Sequence, residues 1–275
     1  MCGRYAASRR PEDLVGLFQV ERWRPEETVE ADWNVAPTKQ VHAILDRPEK
    51  NSGDPRPVRQ LRVLKWGLVP GWAKSPDMGV KMINARAETV HEKSAYRRPF
   101  AARRCLLPAD GYFEWMTGEQ ELDLEQQGRR KRSRKQPYFV TPADGAVLAM
   151  AGLYEFWRDR TLADDHPQAW WATCTVITTA AETSLLAGAT GEAGAPGPQS
   201  LADIHPRMPL MMTPDRWDAW LDPARTDPEE LRELLAPPPP GTLRAYPVST
   251  DVSNVRNNGP ELLEELEAPE AGTLF

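Results

Sequence analysis

Short apolar segments separated by turn-forming residues run through most of the chain, and they constrain its fold more than any other feature. VHAILDR (41–47) and LRVLKWGLV (61–69) favour strands, and a polar turn around NSGDPRP lies between them. Further strand candidates are RRCLLPA, GYFEWM, PYFVTP, AVLAMAGLYEFW and WATCTVITT.

Helical patterns are few and short. PEDLVGLFQV (11–20) has apolar residues at helical spacing and acidic residues at its start. MTPDRWDAWL and DPEELRELLA also favour helices, and PPPPG ends the second. Many short strands with few helices predict an α+β fold, mainly of antiparallel strands with short flanking helices.

Composition is that of an ordinary globular protein: of 275 residues, 40% are hydrophobic and 27% are charged. The three cysteines, Cys2, Cys105 and Cys174, fit neither a disulfide framework nor a metal-binding or redox pair, which favours a reducing compartment. The sequence has no signal-peptide pattern and no long apolar run. We therefore expect a cytoplasmic protein without a membrane partner.

Charge is unevenly distributed along the chain. The net charge of −6 argues mildly against nucleic acid as a partner, but phosphate contacts depend on local clusters. Basic residues cluster in RRPFAARR (97–104) and GRRKRSRK (128–135). The second cluster is more typical of a solvated loop than of a binding surface.

Two segments have the composition of flexible insertions, at about 118–135 and at 186–200, where Gly, Ala and Pro dominate. Neither is flanked by a segment that could form its own core. The sequence therefore predicts one domain over residues 1–260, followed by an acidic tail over 261–275.

Cys2 is the most informative candidate. Removal of Met1 would leave a free α-amine and a thiol on one residue, and this pair can condense with an aldehyde. The amine forms a Schiff base and the thiol then closes a five-membered thiazolidine ring. The ordinary pKa values, about 8 for the amine and about 8.5 for the thiol, suggest that neither group needs drastic tuning. The alternative is a small cysteine without a chemical role.

Other candidate side chains each have a structural alternative. Asn84 and Arg86 in INARAET lie on one side of an extended backbone, where Arg can bind phosphate, or they are turn and surface residues. Glu114, flanked by aromatic residues in GYFEW, is either an acid–base group with a raised pKa or a solvated strand residue. His205 is either a proton shuttle or a hydrogen-bonded core histidine. Trp72, after the Pro-Gly turn of WGLVPGW, either stacks on a nucleic-acid base or packs under a loop.

No set of residues has the spacing of a metal site, a phosphate-binding loop or a nucleophile elbow, so no metal and no cofactor is expected.

Ten segments together resemble the SRAP family, the SOS response-associated peptidase fold whose members crosslink to abasic DNA. They occur in the family's order across nearly the whole chain, which makes the resemblance specific. The segments are MCGRY, WNVAP, WGLVPGW, INARAET, RRCLLPADGYFEW, QPYF, AGLYE, TVITTAA, DIHPRMPLMM and VSTDVSNVRNNGPEL. The resemblance implies a single SRAP-type domain with a curved, barrel-like β core.

The resemblance also implies roles for individual residues. Cys2 would be the crosslinking nucleophile, and Asn84, Glu114 and His205 would complete the catalytic site. DNA-binding roles are implied for Arg4, Pro37, Trp72, Arg86, Trp115, Thr178 and Arg207. The interval before His205 is longer than the family's pattern, so the loop leading to it is expected to differ.

The function implied is recognition of abasic sites in single-stranded DNA, including sites at junctions, by a monomeric, nucleoid-associated protein. Weak lyase activity and self-processing of Met1 are side reactions of the same chemistry. Two alternatives use the same sequence differently. One is a cysteine peptidase or N-terminal-nucleophile amidohydrolase, and the other is a DNA-binding module in which Cys2 has no role.

Overall fold

Twelve strands and five short α-helices make up the described part of the chain, residues 2–49, 53–116, 135–163, 165–188 and 197–266 of a computed structural model. The strands are β1 Tyr5–Ala7, β2 Asp32–Val35, β3 Gln40–Pro48, β4 Pro57–Trp66, β5 Asn84–Arg86, β6 Arg104–Ala109, β7 Gly111–Met116, β8 Gln136–Pro142, β9 Leu148–Arg158, β10 Trp170–Ala180, β11 Arg207–Pro209 and β12 Leu243–Pro247. The helices are α1 Pro11–Leu17, α2 Arg97–Ala102, α3 Leu201–Ile204, α4 Trp217–Leu221 and α5 Pro228–Glu233. Short 3-10 turns cover Pro76–Lys81, Pro214–Arg216, Thr250–Ser253 and Pro260–Leu263.

Five strands close into a barrel in the order β10, β4, β3, β6, β9 and back to β10. The β4–β10 pair is parallel, and the other four pairs are antiparallel. The short strands β5 and β11 extend the sheet from β10. The predicted α+β fold with a barrel-like core of mainly antiparallel strands is confirmed.

Alternate residues of the barrel strands belong to two apolar clusters. Ile44 shares one cluster with Leu14 of α1 and Phe100 of α2, so that cluster lies on the outer, helix-covered face. Because strand neighbours point to opposite faces, Ala43 and Leu45 point into the barrel, as do Cys105 and Cys174. A side chain at Gly152 would place its Cβ 3.0 Å from Cys105 Sγ and 3.0 Å from the Thr175 carbonyl oxygen, so this position needs glycine for close strand packing.

A second sheet, in the order β12-β8-β7-β1-β2, packs against one end of the barrel. Tyr5 of β1 contacts Trp66 of β4 with ring centroids 5.1 Å apart. Tyr112 of β7 belongs to the same cluster as the residues inside the barrel. This arrangement brings the start of the chain to the covered end of the barrel.

Three predicted element boundaries are wrong. The strand expected over 61–69 ends at Trp66, because Gly67 turns the chain with φ +124°. The helix expected over 11–20 ends at Leu17, and Gln19 is left-handed with φ 54°. MTPDRWDAWL forms a 3-10 turn followed by α4 rather than one helix.

Most of the two predicted insertions, residues 117–134 and 189–196, lies outside the described residues, as does 267–275 of the predicted tail. Leu262, within the predicted tail, is buried against Phe113 and Val252. Within the part of the chain that is described, no helix has the length and apolar character needed to cross a membrane.

Candidate active site around Cys2

Cys2 lies just before β1 and is fully buried. In the β1–β7 pair Tyr5 is opposite Tyr112, and the Phe113 N–H donates to the Arg4 carbonyl at 2.9 Å. Continuing this register brings residue 3 opposite Glu114, so β7 sets Cys2 beside that carboxyl group.

Burial raises the pKa of the Cys2 thiol well above its ordinary value, and the nearby Glu114 carboxylate raises it further. The expectation that the thiol needs no drastic tuning is therefore wrong. A buried thiolate lacks the water that would stabilise its charge, so the thiol stays protonated at neutral pH. Its reaction requires a neighbouring base to accept the proton.

Asn84 connects Cys2 to the barrel. Its Nδ2 donates to the Cys2 carbonyl oxygen at 2.8 Å. Asn84 starts β5, which runs parallel to β10 with Asn84 opposite Val176. The Tyr96 hydroxyl donates to the Asn84 carbonyl at 3.1 Å. The Asn84 amide is thereby held in position from both the sheet and the loop before α2.

Glu114 is 6% exposed, and burial raises its pKa from 4.5 to about 7. The carboxyl therefore exists in both protonation states near neutral pH and can donate or accept a proton. The alternative of a solvated strand residue is excluded by its burial.

His205 follows α3 directly. A capping box of Ser200 and Asp203 begins this helix, and the His205 N–H donates to the Leu201 carbonyl at its end. His205 Nδ1 accepts from the Arg207 N–H at 3.0 Å, which leaves the proton of a neutral ring on Nε2. Burial lowers the pKa of His205, so the neutral ring dominates at neutral pH. Its neighbours Ile204 and Met208 belong to the same apolar cluster as Cys2.

The arginines with predicted DNA-binding roles are in different environments. Arg207 forms a two-pronged ion pair with Glu88, at 2.5 and 3.0 Å, and also donates to the Thr178 carbonyl. Arg4 donates to Asn34 Oδ1 and to the Val252 carbonyl, each at 2.8 Å. Arg86 is exposed. A phosphate near Arg207 would compete with Glu88.

The remaining predicted DNA contacts are dispersed. Trp115 is half-buried under Arg4, 5.7 Å from its ring centroid, and donates to Ser253 Oγ. Pro37 is also half-buried, whereas Thr178 is fully buried and its hydroxyl faces the Ala85 carbonyl at 3.4 Å. Trp72 is 58% exposed, which excludes the core alternative. Its turn packs with Val69 and Ala73 against Trp157 of β9 rather than beside Cys2. The DNA-binding roles of these residues stay predictions.

Sequence reasoning missed Asn34 and Glu88. Asn34 is fully buried, and its Nδ2 donates to the Val252, Asn254 and Asn257 carbonyls. Both residues lie in motifs that were noticed, WNVAP and INARAET, but only the fold reveals partners so distant in sequence. Among the described residues, no group of three or more His, Cys, Asp or Glu is arranged to hold a metal.

Comparison with known proteins identifies the class of fold. The family model described as SOS response associated peptidase (SRAP) matches residues 1–255, and the chain belongs to that family. A protein of known structure from Bacteroides thetaiotaomicron has the same fold, with a TM-score of 0.70 and 21% identity over 97% of this chain and 100% of its own.

Named relatives are similar along nearly the whole chain. The abasic site processing protein YoqW of Bacillus subtilis is 33% identical over 264 residues, which cover 96% of this chain and 99% of YoqW. The abasic site processing protein YedK of Escherichia coli is 29% identical, over 96% of this chain and 99% of YedK. The abasic site processing protein HMCES of Gallus gallus is 29% identical, over 97% of this chain and 78% of HMCES.

Proposed function

We propose that this protein processes abasic sites in single-stranded DNA by forming a covalent thiazolidine crosslink through Cys2. The names of its relatives support the substrate. The observation that carries the chemistry is the position of Cys2, held by Asn84 and set beside a carboxyl group whose pKa is about 7.

The reaction needs the α-amine of Cys2, which is free only after the peptide bond to Met1 is cut. The amine attacks C1′ of the open-chain abasic aldehyde, and loss of one water gives a Schiff base. The thiol then adds across the C=N bond: sulfur bonds to C1′, and its proton goes to a neighbouring base while nitrogen gains one. The net change is the loss of one water, without an oxidant or a reductant.

Glu114 and His205 are the acid–base groups of this proposal. Glu114 donates a proton when the carbinolamine loses water and, once ionised, accepts the proton of the buried thiol. The proton of the neutral His205 ring on Nε2 supports opening of the sugar hemiacetal. Asn84 orients Cys2 through its carbonyl oxygen, so the amine and the thiol face one substrate carbon.

Closure of the ring consumes the Schiff base, which would otherwise lead to β-elimination and strand cleavage. Weak lyase activity is therefore a side reaction in the same proposal, as is self-processing of Met1. A cytoplasmic, nucleoid-associated monomer that acts on single strands and on junctions completes it.

The test mixes purified protein with a single-stranded oligonucleotide that contains one abasic site and resolves the products on a denaturing gel. We expect a band that resists heat and SDS, from protein whose mass confirms loss of Met1. Cys2→Ala, and a form that retains Met1, should give no such band. Absence of a band from correctly processed wild-type protein would refute the proposal and make peptide hydrolysis the next assay.

A further inference from the structure

A cavity of about 870 Å³ lies at one end of the barrel and is lined by six arginines and a single carboxylate. The carboxylate is Glu155. The arginines are Arg47, Arg62, Arg98, Arg103, Arg158 and Arg160. For a chain with a net charge of −6, this concentration of positive charge requires an explanation.

The cavity is the open mouth of the barrel. Arg47 shares its face of β3 with Leu45, and Arg62 lies opposite Ala43, so both follow the side chains that fill the barrel. Phe156 lies opposite Ala172 at the same end. Ala172 precedes Val176, the register partner of Asn84, by four residues, or roughly 13 Å at about 3.3 Å per residue. The mouth is therefore separate from the Cys2 site.

Charges at the mouth are only partly compensated. Arg103 pairs with Glu155 at 2.6 Å, and Arg62 pairs with Glu27 at 3.1 Å. Arg47 lies over the Phe156 ring, 4.9 Å from its centroid. Burial lowers the pKa of Arg47, and the charges of Arg62 and Arg103 lower it further, which reflects mutual repulsion of the cations. An anion in the cavity would relieve that repulsion.

Aromatic side chains border the arginines. Trp170 lines the cavity and is 58% exposed, although it is a large apolar residue. Gly71 also lines it, and the next residue is the equally exposed Trp72. Guanidinium groups bind phosphate in two-pronged geometry, and exposed indole rings stack on bases. Together the two residue types recognise a nucleotide rather than a simple anion.

We propose that the barrel mouth is a second binding site, which takes nucleotide phosphates on its arginines and stacks a base on Trp170. The cavity volume is in the range of small-molecule sites, which often occupy the mouths of β-barrels. The same chemistry can come from a free nucleotide or from a segment of a nucleic-acid strand. The inference does not depend on crosslinking by Cys2.

The test uses three probes that carry no abasic site: a labelled oligothymidylate followed by anisotropy, and dATP and inorganic phosphate followed by calorimetry. The exposed pair Arg98→Glu/Arg160→Glu changes the mouth, and Trp170→Ala removes the stacking ring. Arg232→Glu, on the exposed surface of α5, is the matched control for charge reversal. Thermal melting verifies that each variant is folded.

We expect the paired reversal to weaken the oligonucleotide or dATP at least 10-fold, and Arg232→Glu to change neither by more than 2-fold. If the source is a strand, the plot of log affinity against log salt becomes shallower by about 1.4, at about 0.7 per phosphate contact. Effects on dATP alone identify a free nucleotide, and both results support the site. Trp170→Ala should weaken dATP or the oligonucleotide and leave inorganic phosphate unchanged.

Equal affinities of the paired variant and the Arg232→Glu control for all probes would overturn the inference. Binding of inorganic phosphate alone would also overturn it, because no base would be recognised. Crosslinking to saturating abasic oligonucleotide should be unaffected by the paired reversal. Loss of crosslinking in every protein, with oligonucleotide binding intact, would instead count against the proposed function.

Discussion

The side-chain amide of Asn84 donates a hydrogen bond to the carbonyl oxygen of Cys2, 82 positions earlier in the sequence, at 2.8 Å. This contact joins the start of the chain to β5 and, through β5, to the barrel strand β10. The reactivity of Cys2 therefore depends on a strand that the chain reaches much later.

Removal of this contact should slow crosslinking more than it destabilises the protein. We expect Asn84→Ala to lower the single-turnover crosslinking rate about 10-fold, the equivalent of one hydrogen bond of about 1.4 kcal/mol. Asn84→Asp should lower it further, because an acceptor would face the carbonyl oxygen. Quantified denaturing gels at saturating DNA measure the rate, and a wild-type rate in Asn84→Ala would contradict the positioning role.

Glu114 should make the free energy of unfolding depend on pH. Between pH 4.5 and about 7 the unfolded state ionises this carboxyl while the folded state keeps it protonated, so stability falls as pH rises through that window. Glu114→Gln removes this effect, and its advantage over wild type should grow to the order of 3 kcal/mol at pH 7 and above. Urea titrations at several pH values measure it. A constant difference between the two proteins across the window would show that burial does not shift this carboxyl.

The Glu88–Arg207 ion pair should limit binding of anionic DNA. The pair is partly exposed, and the Arg207 hydrogen bond lowers the pKa of Glu88, so the carboxylate is charged at neutral pH. Glu88→Gln should tighten single-stranded DNA several-fold and steepen its salt dependence by about 0.7. Glu92→Gln removes the same charge from an exposed site nearby and serves as the control for anisotropy measurements. Equal affinities of these two variants would show that Arg207 does not reach phosphate.

Arg104 should be essential for stability rather than for binding. It is 2% exposed and donates to five carbonyls, including those of Trp220, Phe100 and Arg225, and burial lowers its pKa to about 10. Arg104→Met leaves these acceptors buried without donors, at a cost of at least about 3 kcal/mol. Arg97→Met, at the exposed start of α2, should cost less than about 0.5 kcal/mol in the same urea titration. Similar losses in both variants would contradict this role.

The sequence predicts the strands and the identity of the site well, because both depend on local signals. Alternating apolar segments give the strands, and family motifs give Cys2, Asn84, Glu114 and His205. Closure of the barrel is not local: it requires β10 to pair with both β9 and β4, and β4 ends more than a hundred residues before β10 ends. Nor could the sequence show that Cys2 is buried or that Glu88 neutralises Arg207, since each depends on residues far apart in the chain.

Burial of Cys2 also has a consequence for the order of events on the ribosome. The residues that cover it come from β7 and from β5, and β5 is fixed only by β10, so its cover is incomplete until the ribosome has made about two thirds of the chain. At a synthesis rate of about 5–20 residues per second, the nascent N-terminus stays accessible for roughly ten seconds or more. An aminopeptidase has that interval to remove Met1. Slow processing would trap molecules whose α-amine is still blocked, so the pool of reactive protein is determined by a race between trimming and folding.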